Sequence, residues 1–254
     1  MPTIDPLKQP GYEYPQSKTM ILPQLPLRAL VLAPGSGGKT TMITRLLVDK
    51  QFYGGRFSRI YWFSPSATVD DSLDPLRDYV KNMQDQEEDP TFHDDFDADF
   101  IKKLLEKQKK ITEYLKRKAS KKRFNICIVI DDHADNPTAM HRAGGILETL
   151  YIRARHFGVS TICSSQKLKL MSPTVRVNLT ALFIFRLRNN GDLLEGIIRE
   201  YSALIDAKTL LAMYKAAVER PYGFLYINLL AKSLNHMFYS SFTSRFAVNQ
   251  EQIS

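Results

Sequence analysis

The chain has 254 residues, of which 44% are hydrophobic and 24% charged, and its formal net charge is +8. This is ordinary globular composition, enough for one large α/β domain or two small ones. No run approaches the roughly 18 apolar residues of a membrane span, and residues 1–18 lack the apolar core of a secretory signal. Cys127 and Cys163 lie in separate apolar runs, which argues against a disulfide scaffold or a zinc module. The positive charge is compatible with a nucleic-acid partner without demonstrating one.

Strands and helices are predicted to alternate along most of the chain. Residues 1–24 contain five prolines and are predicted to form an extended, poorly packed arm. Short apolar runs predict strands at Leu27–Ala33, Arg59–Ser64, Asn125–Ile130, Val159–Ser165, Ala181–Leu187, Tyr222–Leu229 and Met237–Phe242. Helical spacing predicts helices at Lys39–Lys50, Phe100–Lys118, Gly144–Arg153, Asp192–Tyr201 and Asp206–Val218. We therefore expect an α/β domain over residues 25–245, with a mostly parallel sheet covered on both faces, and a tail at 246–254.

An acidic segment is followed directly by a basic one. Residues 84–99 hold eight acidic residues and no Lys or Arg, whereas residues 100–123 hold eleven Lys or Arg against two Glu. Such a switch is typical of solvated surface, and a basic run is also a candidate phosphate contact.

The stretch APGSGGKT, Ala33–Thr40, has the spacing of a phosphate-binding loop and stands between a predicted buried strand and a helix. Backbone N–H groups and the helix N-terminus would surround the β- and γ-phosphates. Lys39 would reach their oxygens, and the Thr40 hydroxyl would bind Mg²⁺. The remaining predicted nucleotide-binding residues are Gly35, Ser36, Gly37, Gly38 and Thr41. The alternative is a glycine-rich turn with an exposed lysine.

Asp131 and Asp132 directly follow the apolar strand at Asn125–Ile130. Parallel strands end at the same edge of a sheet, so these carboxylates are expected near the phosphate loop. Asp131 would hold Mg²⁺ through water, and Asp132 would polarise the attacking water. The alternative is a helix cap or a loop turn, since Asp favours both.

Gln166 stands at the end of the strand at Val159–Ser165. A neutral amide there can donate to the γ-phosphate and accept from the water. Alone this signal is weak, because a glutamine at a strand end is usually solvated. Asp132 and Gln166 together would activate water, which argues against a small-molecule kinase.

The motifs APGSGGKT, ICIVIDD, RARHFGVSTICSSQ, SPTVRVNLTALFIF and YGFLYINL resemble the poxvirus-type genome-packaging ATPases of large DNA viruses, in the FtsK–HerA superfamily of P-loop NTPases. The ordered match runs from Pro26 to Phe242. It implies a three-layer RecA/ASCE-like fold, with the strand before Gln166 between those before Lys39 and Asp131. It also implies ATP and Mg²⁺ as cofactors and an intracellular location, in the virion or at the viral replication site.

The resemblance further implies a homo-oligomeric ring, expected to be a hexamer, with ATP between subunits and double-stranded DNA through the centre. Capsid portal or membrane-associated virion proteins would be further partners. In related motors an arginine from a neighbouring subunit touches the γ-phosphate. The matching position here is Arg155, with Arg176 and Arg153 as alternatives. Arg155 could equally cap or pair locally.

Two positions depart from the pattern of the family. Ser36 stands where a glycine would better tolerate the backbone conformation of the loop. Asp132 stands where many relatives in the wider superfamily have Glu, and its shorter side chain weakens the assignment as general base.

A motor that moves along any sequence must grip phosphates rather than read bases. Candidate contacts are the run Lys116–Arg123, Arg186 and Arg188. The sequence thus predicts an ATP-driven motor that packages viral DNA. The alternatives are another DNA-acting P-loop ATPase, such as a helicase or a conjugation-type pump, and a nucleotide-binding structural protein that does not hydrolyse ATP.

Overall fold

In the computed structural model, residues 14–83, 89–121, 123–133, 145–188, 191–201 and 205–248 are described. The strands of these ranges are β1 (Arg28–Leu32), β2 (Arg59–Phe63), β3 (Phe92–His93), β4 (Ile126–Ile130), β5 (Val159–Ser165), β6 (Ala181–Phe185), β7 (Phe224–Asn228), β8 (Phe238–Ser240) and β9 (Ser244–Arg245). The helices are α1 (Lys39–Val48), α2 (Asp74–Lys81), α3 (Ala98–Arg117), α4 (Ile146–Ile152), α5 (Pro173–Val177), α6 (Gly191–Tyr201) and α7 (Ala207–Ala217).

The described strands form one sheet in the order β3-β2-β4-β5-β1-β6-β7-β8-β9. The first six strands of this order are parallel, and β7, β8 and β9 extend the sheet in antiparallel fashion. We call the edge where the parallel strands end the carboxyl edge and the opposite one the amino edge. The strand before Gln166, β5, lies between β1 and β4, which confirms the order implied by the resemblance.

One apolar core covers each face of the sheet. Alternate residues of β1 point to opposite cores: Leu30 and Leu32 to one, Ala29 and Val31 to the other. Helices α1 and α2 pack on the second face, and α3, α4 and α7 pack on the first. Strands buried on both faces are apolar at nearly every position, which is why the sequence predicted them as continuous runs. The three-layer α/β fold with a mostly parallel sheet is confirmed.

The structure differs from the predicted elements mainly where the elements are short. Helix α2 has eight residues, α5 has five and β3 has two, and the sequence analysis predicted none of them. In α5 and β3 too few turns or alternations occur for periodicity to be visible. Helix α2 does carry an apolar face, with Leu76 and Val80 buried four positions apart, and the sequence analysis missed it. Helix α4 begins at Ile146, and the predicted start at Gly144 lies outside the described residues.

The predicted N-terminal arm is partly described. In residues 14–24, Leu22 is buried, and the carbonyl of Ile21 accepts hydrogen bonds from the Tyr226 hydroxyl (2.8 Å) and the Asn228 side chain (3.0 Å). This part of the arm therefore packs against β7 more closely than its composition suggests. The domain boundaries at 24 and 245 stay predictions.

Candidate nucleotide-binding site

The phosphate loop leaves β1 after Leu32 and enters α1 at Lys39, as the sequence predicted. It is held to the neighbouring strand by the Ala33 N–H, which donates to the Ser165 carbonyl at 3.1 Å. Gly38 adopts a left-handed conformation (φ 87°), and a Cβ atom there would lie 2.9 Å from the Tyr222 ring. Ser36 is left-handed as well (φ 59°), so the departure noted at this position places a serine in a conformation that glycine adopts more easily.

Both aspartates meet the loop at the carboxyl edge. The Lys39 ammonium lies 3.7 Å from Asp131 Oδ1 and donates to Asp132 Oδ2. The Thr40 hydroxyl donates to Asp131 Oδ2 at 3.0 Å. These contacts join residues about ninety positions apart in the chain, and Lys39 is buried rather than exposed.

Ser164 is a site residue that the sequence analysis missed. Its hydroxyl donates to Asp131 Oδ1, and its oxygen accepts the Asp132 N–H at 3.1 Å. It is completely buried as the penultimate residue of β5. A serine within an otherwise buried strand gives no distinctive local signal, and only the parallel pairing of β4 with β5 brings it to the aspartates.

Burial and charge act in opposite directions on Asp131. Burial raises the pKa of its carboxyl group above the usual range, and the Lys39 ammonium and the Ser164 hydroxyl lower it. Asp132 is more exposed, with 39% of its side chain accessible, and its backbone is left-handed (φ 56°). The two neighbouring carboxylates therefore occupy different environments, one buried and held on several sides and the other facing the open cavity.

A carboxylate and a hydroxyl are the oxygen ligands that Mg²⁺ prefers. Mg²⁺ is usually held by one or two protein groups together with substrate phosphates. The described residues contain no group of three or more His, Cys, Asp or Glu that could hold a metal by themselves. Thr40 and Asp131 thus fit a Mg²⁺ ion that is shared with a triphosphate.

A cavity of about 1420 Å³ opens over the loop. Its lining includes residues 36–42, Asp131 and Asp132 on one side, and Met20, Tyr222 and Phe242 on the other. This volume exceeds the roughly 300–1,000 Å³ of a typical small-molecule pocket. The predicted nucleotide-binding residues Ser36, Gly37, Gly38 and Thr41 all line this cavity. Gly35 does not line it, and a Cβ atom at Gly35 would meet open space.

Two predicted catalytic residues lie at different edges of the sheet. Gln166 is exposed and directly follows β5. Because the last residue of β5, Ser165, pairs with Leu32 at the end of β1, Gln166 lies beside the start of the phosphate loop. Arg155 is exposed before β5, at the amino edge. The seven residues of β5 separate the two positions by roughly 20 Å at the rise of an extended strand. Arg155 therefore does not reach the loop of its own chain.

The alternatives to Arg155 are placed differently. Arg153 is also exposed at the amino edge, as the C-cap of α4. Arg176, on α5, forms an ion pair with Glu200. Arg155 itself donates to the neighbouring His156 ring at 3.4 Å, a weak local contact that leaves its side chain exposed.

The candidate DNA contacts are also separated. Helix α3 is anchored to the amino edge by Gln108, whose side-chain amide donates to the Phe124 and Phe157 carbonyls (2.6 and 2.9 Å). Residues 116–121 of the basic run lie at and after the C-terminal end of this helix. Arg186 instead donates to the Val218 and Glu219 carbonyls at the C-terminus of α7, so its guanidinium has a structural partner. Arg188 is exposed at the carboxyl edge. None of the helices in the described ranges is long and apolar enough to cross a membrane.

Comparisons with known proteins agree with this fold. The chain is 26% identical over 151 residues (58% of its length) to the uncharacterized protein 075L of Invertebrate iridescent virus 6, of which the aligned part covers 55%. Among solved structures, the genome packaging NTPase B204 of Sulfolobus turreted icosahedral virus 2 with ATPγS matches 82% of this chain and 95% of its own (TM-score 0.52, 17% identity). The pCW3 conjugation coupling protein TcpA with ATPγS matches 80% of this chain and 58% of its own (TM-score 0.50, 16% identity).

The model of one protein family, described as the poxvirus A32 protein, matches residues 19–234. The matched range includes the phosphate loop, both aspartates, Ser164, Gln166 and Arg155, and it confirms the resemblance seen in the sequence motifs. The chain belongs to the poxvirus A32 protein family.

Proposed function

We propose that this protein is an ATP-hydrolysing motor that moves double-stranded DNA and packages a viral genome into a capsid. The observation that carries the proposal is the meeting of Lys39, Thr40, Asp131 and Asp132 at one edge of a parallel sheet. Membership of the poxvirus A32 family supports the viral setting. The structural likeness to B204, whose name describes a genome packaging NTPase, supports the packaging role.

The loop and α1 bind the triphosphate. Backbone N–H groups of residues 36–40 and the N-terminus of α1 surround the β- and γ-phosphates, and the Lys39 ammonium contacts their oxygens. Mg²⁺, when bound, neutralises part of the phosphate charge. The Thr40 hydroxyl, and the Asp131 carboxylate through water, would hold it there, and the Ser164 hydroxyl orients that carboxylate.

Asp132 is positioned for hydrolysis. In the structure the Asp132 carboxylate accepts a hydrogen bond from the Lys39 ammonium. A triphosphate that takes over this ammonium leaves the exposed carboxylate able to accept a hydrogen bond from a water molecule, and Asp132 takes its proton as the water attacks the γ-phosphorus. The products are ADP and inorganic phosphate. Gln166 contributes an amide to the water or to the γ-phosphate.

Arg155 acts in this proposal from a neighbouring subunit of a hexameric ring. It is exposed and about 20 Å from the loop of its own chain by the length of β5. A cation placed from outside offsets charge that develops on the γ-phosphate in the transition state. The ring surrounds double-stranded DNA inside the host cell, in the virion or at the viral replication site, with capsid portal or membrane-associated virion proteins as partners.

The direct test is ATP hydrolysis with and without duplex DNA, for the parent protein and for Lys39→Ala and Asp132→Asn. DNA is expected to stimulate hydrolysis by the parent. Lys39→Ala should abolish ATP binding, and Asp132→Asn should bind ATP but lower kcat by about 10²–10⁴-fold, as for the loss of a general base. Unchanged turnover in both variants would refute the assignment of the site.

Further measurements separate the alternative functions. Displacement of a third strand from intact duplex DNA is expected for the motor, and separation of the two duplex strands would instead identify a helicase. Tight ATP binding with no turnover would identify a structural protein.

Mixed oligomers test the role of Arg155. Arg155→Ala and Asp132→Asn proteins are each expected to be inactive, and mixing them should restore part of the activity, because some interfaces then combine an intact Arg155 with an intact Asp132. Arg153→Ala and Arg176→Ala serve as comparison variants. A mixture with no activity above either component would contradict action across an interface.

A further inference from the structure

The cavity over the phosphate loop continues beyond the phosphate-binding residues to a set of apolar side chains. We call Met20, Tyr222 and Phe242 the apolar wall; all three line the cavity. Met20 is 97% exposed and Tyr222 is 73% exposed. Both side chains lie in the same cavity as the phosphate loop, which places apolar surface within reach of a ligand bound there.

The antiparallel part of the sheet positions this wall. Strand β7 begins at the carboxyl edge, where Phe224 pairs with Phe185 of β6, and β8 returns to the same edge, where Ser240 pairs with Leu225. The turns before β7 and after β8 therefore lie beside the phosphate loop, on the β6 side of β1. The aspartates lie on the opposite side of β1, after β4.

The structure holds the rings of Tyr222 and Phe242 in place and anchors the backbone next to Met20. Tyr222 adopts a left-handed conformation (φ 60°) that is unusual for an aromatic residue, and its ring lies against Gly38. The Phe242 ring is 4.7 Å from the Phe52 ring, centroid to centroid. Met20 precedes Ile21, whose carbonyl is fastened to β7. Tyr222 and Phe242 thus pack against Gly38 and Phe52 and still line the cavity.

The direction of a bound triphosphate follows from this arrangement. Its γ-phosphate belongs beside Asp131 and Asp132, because these residues carry the hydrolytic chemistry of the proposed function. The rest of the molecule must then extend from the loop toward the β6 side, where the apolar wall stands in the same cavity. A nucleobase has an apolar face of the kind that aromatic side chains contact regardless of base identity.

We propose that the apolar wall is the nucleoside subsite, in which Tyr222 and Met20 contact the base and ribose and Phe242 forms the floor. The inference rests on the proposed function only in that a triphosphate occupies the loop. It gives the site a reason to prefer a nucleoside triphosphate to inorganic tripolyphosphate, which carries the same phosphates without an apolar part.

The test compares the dissociation constants of ATP and of inorganic tripolyphosphate by calorimetry. Tyr222→Asn keeps a residue type that tolerates the left-handed backbone, and Met20→Ser removes an exposed side chain that the fold does not need. Each change is expected to weaken ATP binding about tenfold, as for removal of one side chain that stacks on a base, and to leave tripolyphosphate binding within about twofold. Tyr222→Phe should bind ATP like the parent. Tyr114→Asn, at an exposed tyrosine on α3, is the matched control and should also behave like the parent.

The outcomes separate this inference from the proposed function. Unchanged ATP affinity in the Tyr222→Asn, Met20→Ser double variant would overturn the subsite, and so would equal weakening of both ligands, which would indicate a distorted loop. A parent that binds ATP more tightly than tripolyphosphate but never hydrolyses it would refute the proposed function alone. A parent that binds neither ligand would refute both.

Discussion

Ser164→Ala is the most informative single change in the site, because it removes one hydroxyl that serves both aspartates. The hydroxyl donates to Asp131 Oδ1 and accepts the Asp132 N–H at 3.1 Å. Ser164 is completely buried, so water does not replace the missing group without a rearrangement. The substitution removes a single oxygen atom and leaves β5 otherwise intact.

The expected effect on Mg²⁺ binding follows from the hydrogen bond to the Asp131 carboxylate that the substitution removes. A hydrogen bond to a charged group contributes about 1.5–3 kcal/mol. After the substitution Asp131 Oδ1 keeps the Lys39 ammonium at 3.7 Å, and the other oxygen keeps Thr40. Loss of an outer partner of a metal ligand typically lowers metal affinity about 10–100-fold, or about 1.4–2.8 kcal/mol at 1.4 kcal/mol per factor of ten. The two magnitudes agree.

The assay is ATP hydrolysis titrated with Mg²⁺ at saturating ATP. The half-saturating Mg²⁺ concentration is expected to rise about 10–100-fold in Ser164→Ala, and Ser164→Thr should recover part of the loss. Ser160→Ala is the matched control, because Ser160 is a buried serine at the other end of β5 whose hydroxyl accepts the Leu27 N–H at 2.9 Å. Ser160→Ala should lower the free energy of unfolding without changing the Mg²⁺ dependence of ATP hydrolysis. A folded Ser164→Ala protein with the Mg²⁺ dependence of the parent would refute the positioning role.

Three further predictions concern the loop, the helix cap and the basic run. Gly38→Ala should weaken ATP binding at least tenfold, because a non-glycine residue at φ 87° costs roughly 1–2 kcal/mol and its Cβ meets a tyrosine ring. Gly196→Ala, on α6, where a Cβ meets open space, is the control and should bind ATP like the parent in the same calorimetric titration. Arg186→Ala should lower the free energy of unfolding by about 1–3 kcal/mol, because it removes bonds to carbonyls at a helix C-terminus, without changing DNA affinity; weaker DNA binding at unchanged stability would contradict this. Arg117→Gln with Lys118→Gln should reduce the salt dependence of duplex binding by about 0.9 in log–log slope for each DNA phosphate that these two side chains neutralise in the parent, and an unchanged slope would exclude them from the DNA interface.

The candidate site was predictable where its signals are local. The spacing of Ala33–Thr40, between a buried strand and a helix, specifies a loop whose backbone N–H groups converge, since a few consecutive residues form the whole binding surface. The acidic pair is also recognisable from neighbouring residues, because Asp131 and Asp132 directly follow an apolar run that predicts a buried strand. Because parallel strands must end at one edge of a sheet, the sequence analysis could place these two motifs together without knowing the register.

Other features depended on contacts between distant segments. Ser164 acts on Asp131 only because β5 pairs with β4, and no pattern within β5 distinguishes it from a core serine. Tyr222 is far from Gly38 in the chain, yet its ring contacts that glycine. Short elements such as α5 and β3 were missed for a related reason, since they are stabilised by packing rather than by their own periodicity.

The sequence by itself thus determined the phosphate loop, the acidic pair and the alternation of strands and helices, because each depends on neighbouring residues and on burial of both sheet faces. Only the tertiary structure decided the partners of those groups: Ser164 beneath the aspartates, the apolar wall beside the loop, and Arg155 at the far edge. The physical reason is that strand pairing and core packing, which act between residues far apart in the chain, set the distances on which this chemistry depends.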